Sequence, residues 1–111
     1  MICTRHLDHF LAFDAATGLL TCEAGVSLDA ILRVVVPRGW FLPVTPGTRF
    51  VTVGGAIASD VHGKNHHGEG TFCRHVQAID ILLGNGEAVT ASLTENPDLF
   101  RATCGGMGLT G

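Results

Sequence analysis

Apolar and polar positions follow two rhythms along the 111-residue chain. From His9 to Asp14, and again from Leu19 to Ala24, short apolar runs flank Ala15-Ala16-Thr17-Gly18 and read as two strands around a turn. Leu28, Ile31, Leu32 and Val35 then recur at helical spacing. Ser27 precedes them with a hydroxyl able to accept an orphan amide of the first turn. That predicts a helix from Leu28 to about Val36, stopped by Pro37 and Gly39. Trp40 to Val44 reads as extended, because a residue before proline avoids the α region. Thr45 to Thr48 reads as a turn, and Arg49 to Val53 as a short extended stretch. Gly54-Gly55 opens a short helix, beginning at or near Thr52 and reaching Val61. His62 to Gly70 is polar and glycine-rich, hence a loop. His75–Leu83 and Glu87–Ser92 form a hairpin across Gly84-Asn85-Gly86, whose Asn-Gly step favours a type I′ turn. Asn96-Pro97 starts a last helix to about Thr103, with Asn as cap and Pro at the first position. Strands and helices interleave around a hairpin, which predicts an α+β fold with an antiparallel component.

Composition narrows this picture. The chain is 46% hydrophobic and 15% charged, which excludes disorder. Seven basic residues face 10 acidic ones with no basic run, which argues against an electrostatic nucleic-acid binder. No apolar stretch approaches the roughly 20 residues of a membrane span. Asp8 and Asp14 interrupt the N-terminal apolar stretches, so no signal peptide is expected. Cys3, Cys22, Cys73 and Cys104 are irregularly spaced with no Cys-x-x-Cys pair. Buried or partly buried thiols are expected rather than a disulfide framework, as fits a reducing compartment. Both ends read as cut: Met1-Ile2-Cys3 enters a strand-like region at once, and Gly111 stops in a turn. A piece of a larger domain is therefore expected.

The densest chemistry lies between Thr45 and His67. Gly54-Gly55 sits at a helix start, where bare amides favour an anion such as phosphate; the plainer reading is tight helix packing. His62, Lys64, Asn65, His66 and His67 follow within six positions. His62 and His66, four apart, invite a metal module completed by His67 and by Cys73 or His75. Gly63 and Gly68 oppose a helix there, so a polar loop is the default. Gly106-Met-Gly-Leu-Thr-Gly111 spells Gly-x-Gly-x-x-Gly but follows a predicted helix and opens none, unlike a nicotinamide fingerprint. No Gly-x-Ser-x-Gly elbow exists, and each Cys lacks a local activating signal. Asp29, Asp80 and Asp98 read as solvated or capping carboxylates.

Pro46-Gly-Thr-Arg-Phe-Val-Thr-Val-Gly-Gly-Ala-Ile-Ala-Ser-Asp-Val-His-Gly-Lys-Asn-His-His67 resembles the flavin-binding stretch of FAD-linked oxidases. These are the enzymes with a p-cresol methylhydroxylase or vanillyl-alcohol oxidase (PCMH) type FAD domain, and the likeness is greatest to sugar-oxidising members. It runs on through Asn85-Gly86 and Asp98–Thr103 to Gly105–Gly111, and back over Leu19 to Pro43. The resemblance implies FAD as cofactor. It also implies a two-lobed α+β domain, mostly antiparallel strands with short helices, of which residues 1–111 are part. In that family Gly47, Thr52, Val53, Gly54 and Gly55 would approach FAD, mostly by backbone. Ser59, Asp60, Val61 and His62 would continue along it, with His62 and Gly63 close to the flavin ring and Asn65 holding the loop. Lys64 would reach the substrate side, where a cation stabilises an anionic reduced flavin or a phosphate-bearing substrate. Lys64 and His62 are thus the candidate catalytic residues, and no metal is implied.

The family's Arg-Gly-x-Gly-x-Ser-Tyr-like pyrophosphate loop is not in this sequence, nor are the strand after Gly111 and a substrate domain. The implied whole enzyme oxidises a secondary hydroxyl of a small-molecule or lipid-linked sugar by hydride transfer to FAD, in the cytoplasm or peripheral to a membrane. Two alternatives remain open: a non-catalytic remnant of such a domain, and a metal-binding module of His62, His66, His67 and Cys73.

Overall fold

The computed structural model describes residues 3–111. Strand β1 (Phe10–Asp14) pairs antiparallel with β2 (Leu19–Cys22), Phe13 opposite Leu20, with a register shift between Phe10 and Ala12. Gly18 N donates to Asp14 O at 2.8 Å and closes the turn. The hairpin expected here is therefore present. The reading of Met1-Ile2-Cys3 lies for Met1 and Ile2 outside the described residues; from Cys3 to Asp8 the chain is turn and irregular backbone, not strand.

Helix α1 (Leu28–Val35) starts where Ser27 Oγ accepts the amide of Ala30 at 3.1 Å, a cap worth about 1 kcal/mol. Leu28, Ile31 and Val35 join Val26 in the first core cluster, while Leu32 is only half-buried. Burying Leu28 completely contributes roughly 2 kcal/mol. Pro37 does not end the helical path. Val36–Arg38 continues as a 3₁₀ turn with proline near its start, where the missing N–H costs no bond, and left-handed Gly39 ends it.

Trp40 to Val44 carries no regular secondary structure. Val44 is fully buried, and Trp40 Nε1 donates to Ala15 O at 2.9 Å, tying this segment to the first hairpin. Arg49 to Val51 is irregular and Thr52 is extended, bridging Ser27 antiparallel, and the segment's backbone is held to the start of α1. Leu28 N donates to Val51 O at 3.0 Å and Asp29 N to Arg49 O at 2.8 Å. The Asp29 carboxylate, read from sequence as solvated or capping, grips Arg33 Nε at 3.0 Å and Arg49 Nε at 2.9 Å.

Helix α2 (Val53–Ala58) begins behind Thr52 and stops three residues short of the expected end. Asp60 turns left-handed with φ 42° and breaks the helical path. One helical turn, α3 (His66–Glu69), stands inside the segment read as a loop. Asn65 O accepts from both Gly68 N and Glu69 N at 3.0 Å, and a single turn asks little helix propensity of Gly68. A 3₁₀ turn, Phe72–His75, follows.

The second hairpin joins β3 (Ala78–Leu82) to β4 (Ala88–Ser92), Ile79 opposite Ala91 and Ile81 opposite Val89. Its turn is not type I′. Asn85 keeps a negative φ, and only Gly86 is left-handed at φ 86°. Gly86 N donates to Leu83 O at 2.9 Å and Leu83 N to Glu87 O at 2.8 Å, which is a type I turn followed by a glycine bulge. Helix α4 (Pro97–Thr103) has proline in its first turn as expected, but Asn96 does not cap it by side chain. Asn96 is itself left-handed, and its amide donates to Thr90 O at 2.8 Å, docking the helix start on β4. Phe100 packs with Ile81 and Ala91 into a second core cluster.

The result is an α+β chain with two small antiparallel sheets and two cores. Gly105 to Gly111 is turn and irregular backbone, with neither the strand nor the helix of a nicotinamide loop. Cys73 is buried and Cys22 and Cys104 are half-buried; Cys3 is exposed, against the expectation of buried thiols. Among the described residues no helix is long and apolar enough to cross a membrane.

Candidate functional site

An open cleft of about 810 Å³ lies where Thr45-Pro46-Gly47 faces the run His62 to His67. Its volume suits a small-molecule ligand. Two ties build it. Asn65 Nδ2 donates to Pro43 O at 3.0 Å. Gly63 is buried so close to Thr45 that a Cβ there would stand 2.5 Å from the Thr45 carbonyl oxygen. Only glycine lets these two backbones touch. The proline pair Pro43 and Pro46 stiffens the opposite wall. Behind it, His66 Nδ1 lies 3.2 Å from Gly63 O, and α3 carries the next imidazoles. His62 meets His66 edge-on at 5.3 Å between ring centres, and His66 lies over His67 at 4.0 Å.

The lining holds one cation, Lys64, three imidazoles and the Asn65 amide, and no carboxylate. Among the described residues Lys64 has no ion-pair partner. The ammonium therefore remains able to serve an anionic or electron-rich ligand.

The structure brings together Gly47, His62, Gly63, Lys64 and Asn65 of the residues expected from sequence. It adds Thr45, Pro46, His66 and His67; the two histidines were legible as a cluster, but their share in the cleft depends on α3. It leaves Thr52, Val53, Gly54, Gly55, Ser59, Asp60 and Val61 outside the lining. The idea of bare amides at the start of α2 is corrected. Val53 N donates to Val26 O at 2.8 Å, Gly54 N to Ala24 O at 2.8 Å, and Gly55 N to Thr52 Oγ1 at 3.1 Å. Gly54 instead allows close packing: a Cβ would come 3.1 Å from the Ala24 Cβ. The amides were spent because β2 runs directly into α1 beside them, which no local pattern reveals.

Asp60 turns its Oδ1 to the amide of Cys73 at 2.9 Å. Burial, with the neighbouring Cys104 and Asp60, pushes the Cys73 thiol far up, and burial pushes Cys104 up as well. Neither thiol is therefore poised as a thiolate nucleophile. The metal-module alternative meets no matching geometry. Cys73 Sγ lies 3.6 Å from Ile57 O in the core, and among the described residues no three His, Cys, Asp or Glu side chains converge on a metal position.

With fold and cleft in view, the sequence comparison defines the class: a model of the FAD binding domain matches residues 1–92, so the chain belongs to that family of oxidoreductase domains and its cofactor is FAD. It is 49% identical over 107 residues to decaprenylphosphoryl-beta-D-ribose oxidase of Mycolicibacterium smegmatis, covering 95% of this chain and 23% of that protein. It is 31% identical to the putative D-arabinono-1,4-lactone oxidase of Neurospora crassa, over 96% of this chain and 19% of that one. Delta(24)-sterol reductase of Rattus norvegicus is also 31% identical, over 93% of this chain and 20% of its own length. The chain thus spans less than a quarter of these relatives. The cleft fits such a cofactor in its chemistry: it is open, free of carboxylate, and bordered by glycine backbone, an amide and a cation.

Proposed function

We propose that this chain is the FAD-binding portion of an oxidoreductase that oxidises a CH–OH group of a sugar, as the name of its mycobacterial relative suggests. The carrying observation is the cleft in which Gly63 packs on Thr45 and sets His62 and Lys64 on either side of it. Bound FAD would supply the hydride acceptor. Gly47, His62, Gly63 and Asn65 would border it directly. Thr52, Val53, Gly54, Gly55, Ser59, Asp60 and Val61 would act mainly by holding the backbone that leads into the cleft. Lys64, with no ion-pair partner among the described residues, would place positive charge in the cleft and favour negative charge on flavin or substrate. His62 would offer its imidazole to the same cleft. Residues 1–111 would form part of one domain, with the pyrophosphate loop and the substrate domain supplied by other parts of a longer polypeptide.

FAD titration of the chain, followed by flavin fluorescence, tests this. Saturable one-to-one binding is expected, weakened about tenfold or more by Lys64→Met, the scale of one charge-assisted hydrogen bond. A longer polypeptide that carries this chain, purifies fully folded and takes up no flavin on reconstitution would refute the reading.

One observation favours a second reading, a non-catalytic remnant. A folded monomer of this mass exposes roughly 5,800 Å², whereas this chain exposes 7410 Å². Phe41, Phe50 and Leu109 are among its exposed apolar side chains. The same titration separates the two: tight stoichiometric FAD uptake excludes the remnant.

A further inference from the structure

Four backbone segments meet at the C-terminal end of α2. Ile57 O accepts from Gly105 N at 2.9 Å and from Asp60 N at 3.0 Å. Ala58 O accepts from Met107 N at 2.8 Å. The last carbonyls of α2 are thus partly capped from a distant loop. That loop is Gly105 with the start of the Gly-x-Gly-x-x-Gly run; Gly105 and Met107 here cap a helix that is distant in sequence.

Asp60 lies at the centre of this meeting point. It is one of three described non-glycine residues with positive φ, at 42°, and Met107, at 57°, is another. Such backbone persists only where neighbours over-determine it. Around Asp60 they do: its own amide is held by Ile57 O, its Oδ1 by Cys73 N at 2.9 Å, and its Cβ lies beside Gly105. One and two residues on, the path stays pinned. Phe72 N donates to Val61 O at 2.8 Å, and His62 bridges to Thr71. From there the chain enters the cleft at His62, Gly63 and Lys64.

We propose that Asp60 is a positioning residue. Its carboxylate, by accepting the Cys73 amide, holds the left-handed turn that aims His62 and Lys64 at the cleft, with the Gly105–Met107 turn as the outer clamp. The side chain acts on the site through the backbone and touches no cofactor. This assignment rests on the FAD reading above.

Three substitutions separate the contributions. Asp60→Asn keeps an acceptor oxygen and tolerates positive φ. Asp60→Gly relieves the backbone but removes the acceptor. Asp60→Ala removes the acceptor and resists the conformation. Each variant of this chain is checked for folding by Trp40 fluorescence and assayed well below its melting temperature. Two quantities are read: FAD affinity, and hydrogen exchange at the Cys73 amide. The proposal expects Asn to bind FAD within about twofold of wild type. Gly and Ala should bind about tenfold more weakly, and the Cys73 amide should lose protection about tenfold in both. It is overturned if Gly binds FAD as wild type does, because strain and not the tie then matters. It is also overturned if Asn behaves as Ala, because charge on the cofactor then matters. A fall in melting temperature with FAD affinity unchanged overturns it too, since that is a merely stabilising role. If the wild-type chain alone takes up no flavin, the remnant reading holds for it. The tie is then judged by exchange alone: protection in wild type and Asn but not in Gly or Ala supports it, and no protection in wild type refutes it.

Discussion

At the scale of single residues, the structure turns on small polar groups that occupy backbone donors. Thr52 accepts Gly55 N and starts α2, the helix that leads to the cleft. Thr52→Ala should cost about 1 kcal/mol in denaturant unfolding, while Thr52→Ser should cost much less. Gly63 makes a sharper case. Any side chain there must push the Thr45 carbonyl away, so Gly63→Ala should open the cleft and abolish FAD-induced fluorescence quenching. The cysteines give a third check, free of any ligand. Cys3 is exposed, whereas burial raises the Cys73 thiol far above its ordinary range. A maleimide at pH 8 should label Cys3 at once and Cys73 only as fast as the chain opens; early labelling of Cys73 would contradict the buried placement.

At the scale of elements, the hairpins are fixed by turns and end-ties more than by length. The β3–β4 turn needs its left-handed glycine, and space around Gly86 is open. Gly86→Ala should therefore cost about 1 kcal/mol from backbone conformation alone, read in an unfolding midpoint. The first hairpin is closed by His9 and Glu23: His9 N donates to Glu23 Oε2 at 2.9 Å, and the ring Nδ1 sits 2.7 Å from the same oxygen. The hydrogen bond and charge of Glu23 raise His9 above its ordinary 6.5. Hydrogen bonds from the His9 backbone and ring lower Glu23 below its ordinary 4.5. The histidine contribution is complete below pH 6.5 and fades as pH rises through the raised value. The glutamate contribution is complete above pH 4.5 and fades as pH falls through the lowered one. The tie is therefore strongest between about pH 4.5 and 6.5. An unfolding-midpoint profile should show a shallow maximum there, which His9→Ala flattens.

At the scale of the whole molecule, two small cores stand side by side, one around α1 and one around the second hairpin and α4. Trp40, the single tryptophan, is tied by its indole N–H to the first hairpin and reports on that hairpin. With surface exceeding that of a typical monomer of its mass, the chain should bind a hydrophobic dye in native buffer. Its tryptophan transition should also precede loss of the β3–β4 amide protection. Coincident transitions with no dye binding would argue for one tight unit instead.

The sequence by itself determined the local elements that announce themselves: the Ser27-capped helix with its apolar stripe, both hairpins, the proline-started last helix, and the His-Gly-Lys-Asn segment that resembles a flavin-binding stretch. These rest on side-chain spacing, capping groups and glycine or proline geometry, all of which act over a few residues. Tertiary structure decided what depends on distant neighbours. It filled the α2 amides from Ala24 and Val26, turned Asp29 from a solvated carboxylate into a clamp on Arg49, and aimed the Asn96 side chain at β4 instead of its own helix. It also made the glycine run at the chain's end a cap for α2. A hydrogen-bonding group takes whichever partner the packed chain brings within about 3 Å, and that choice is written in the fold and not in the residues beside it.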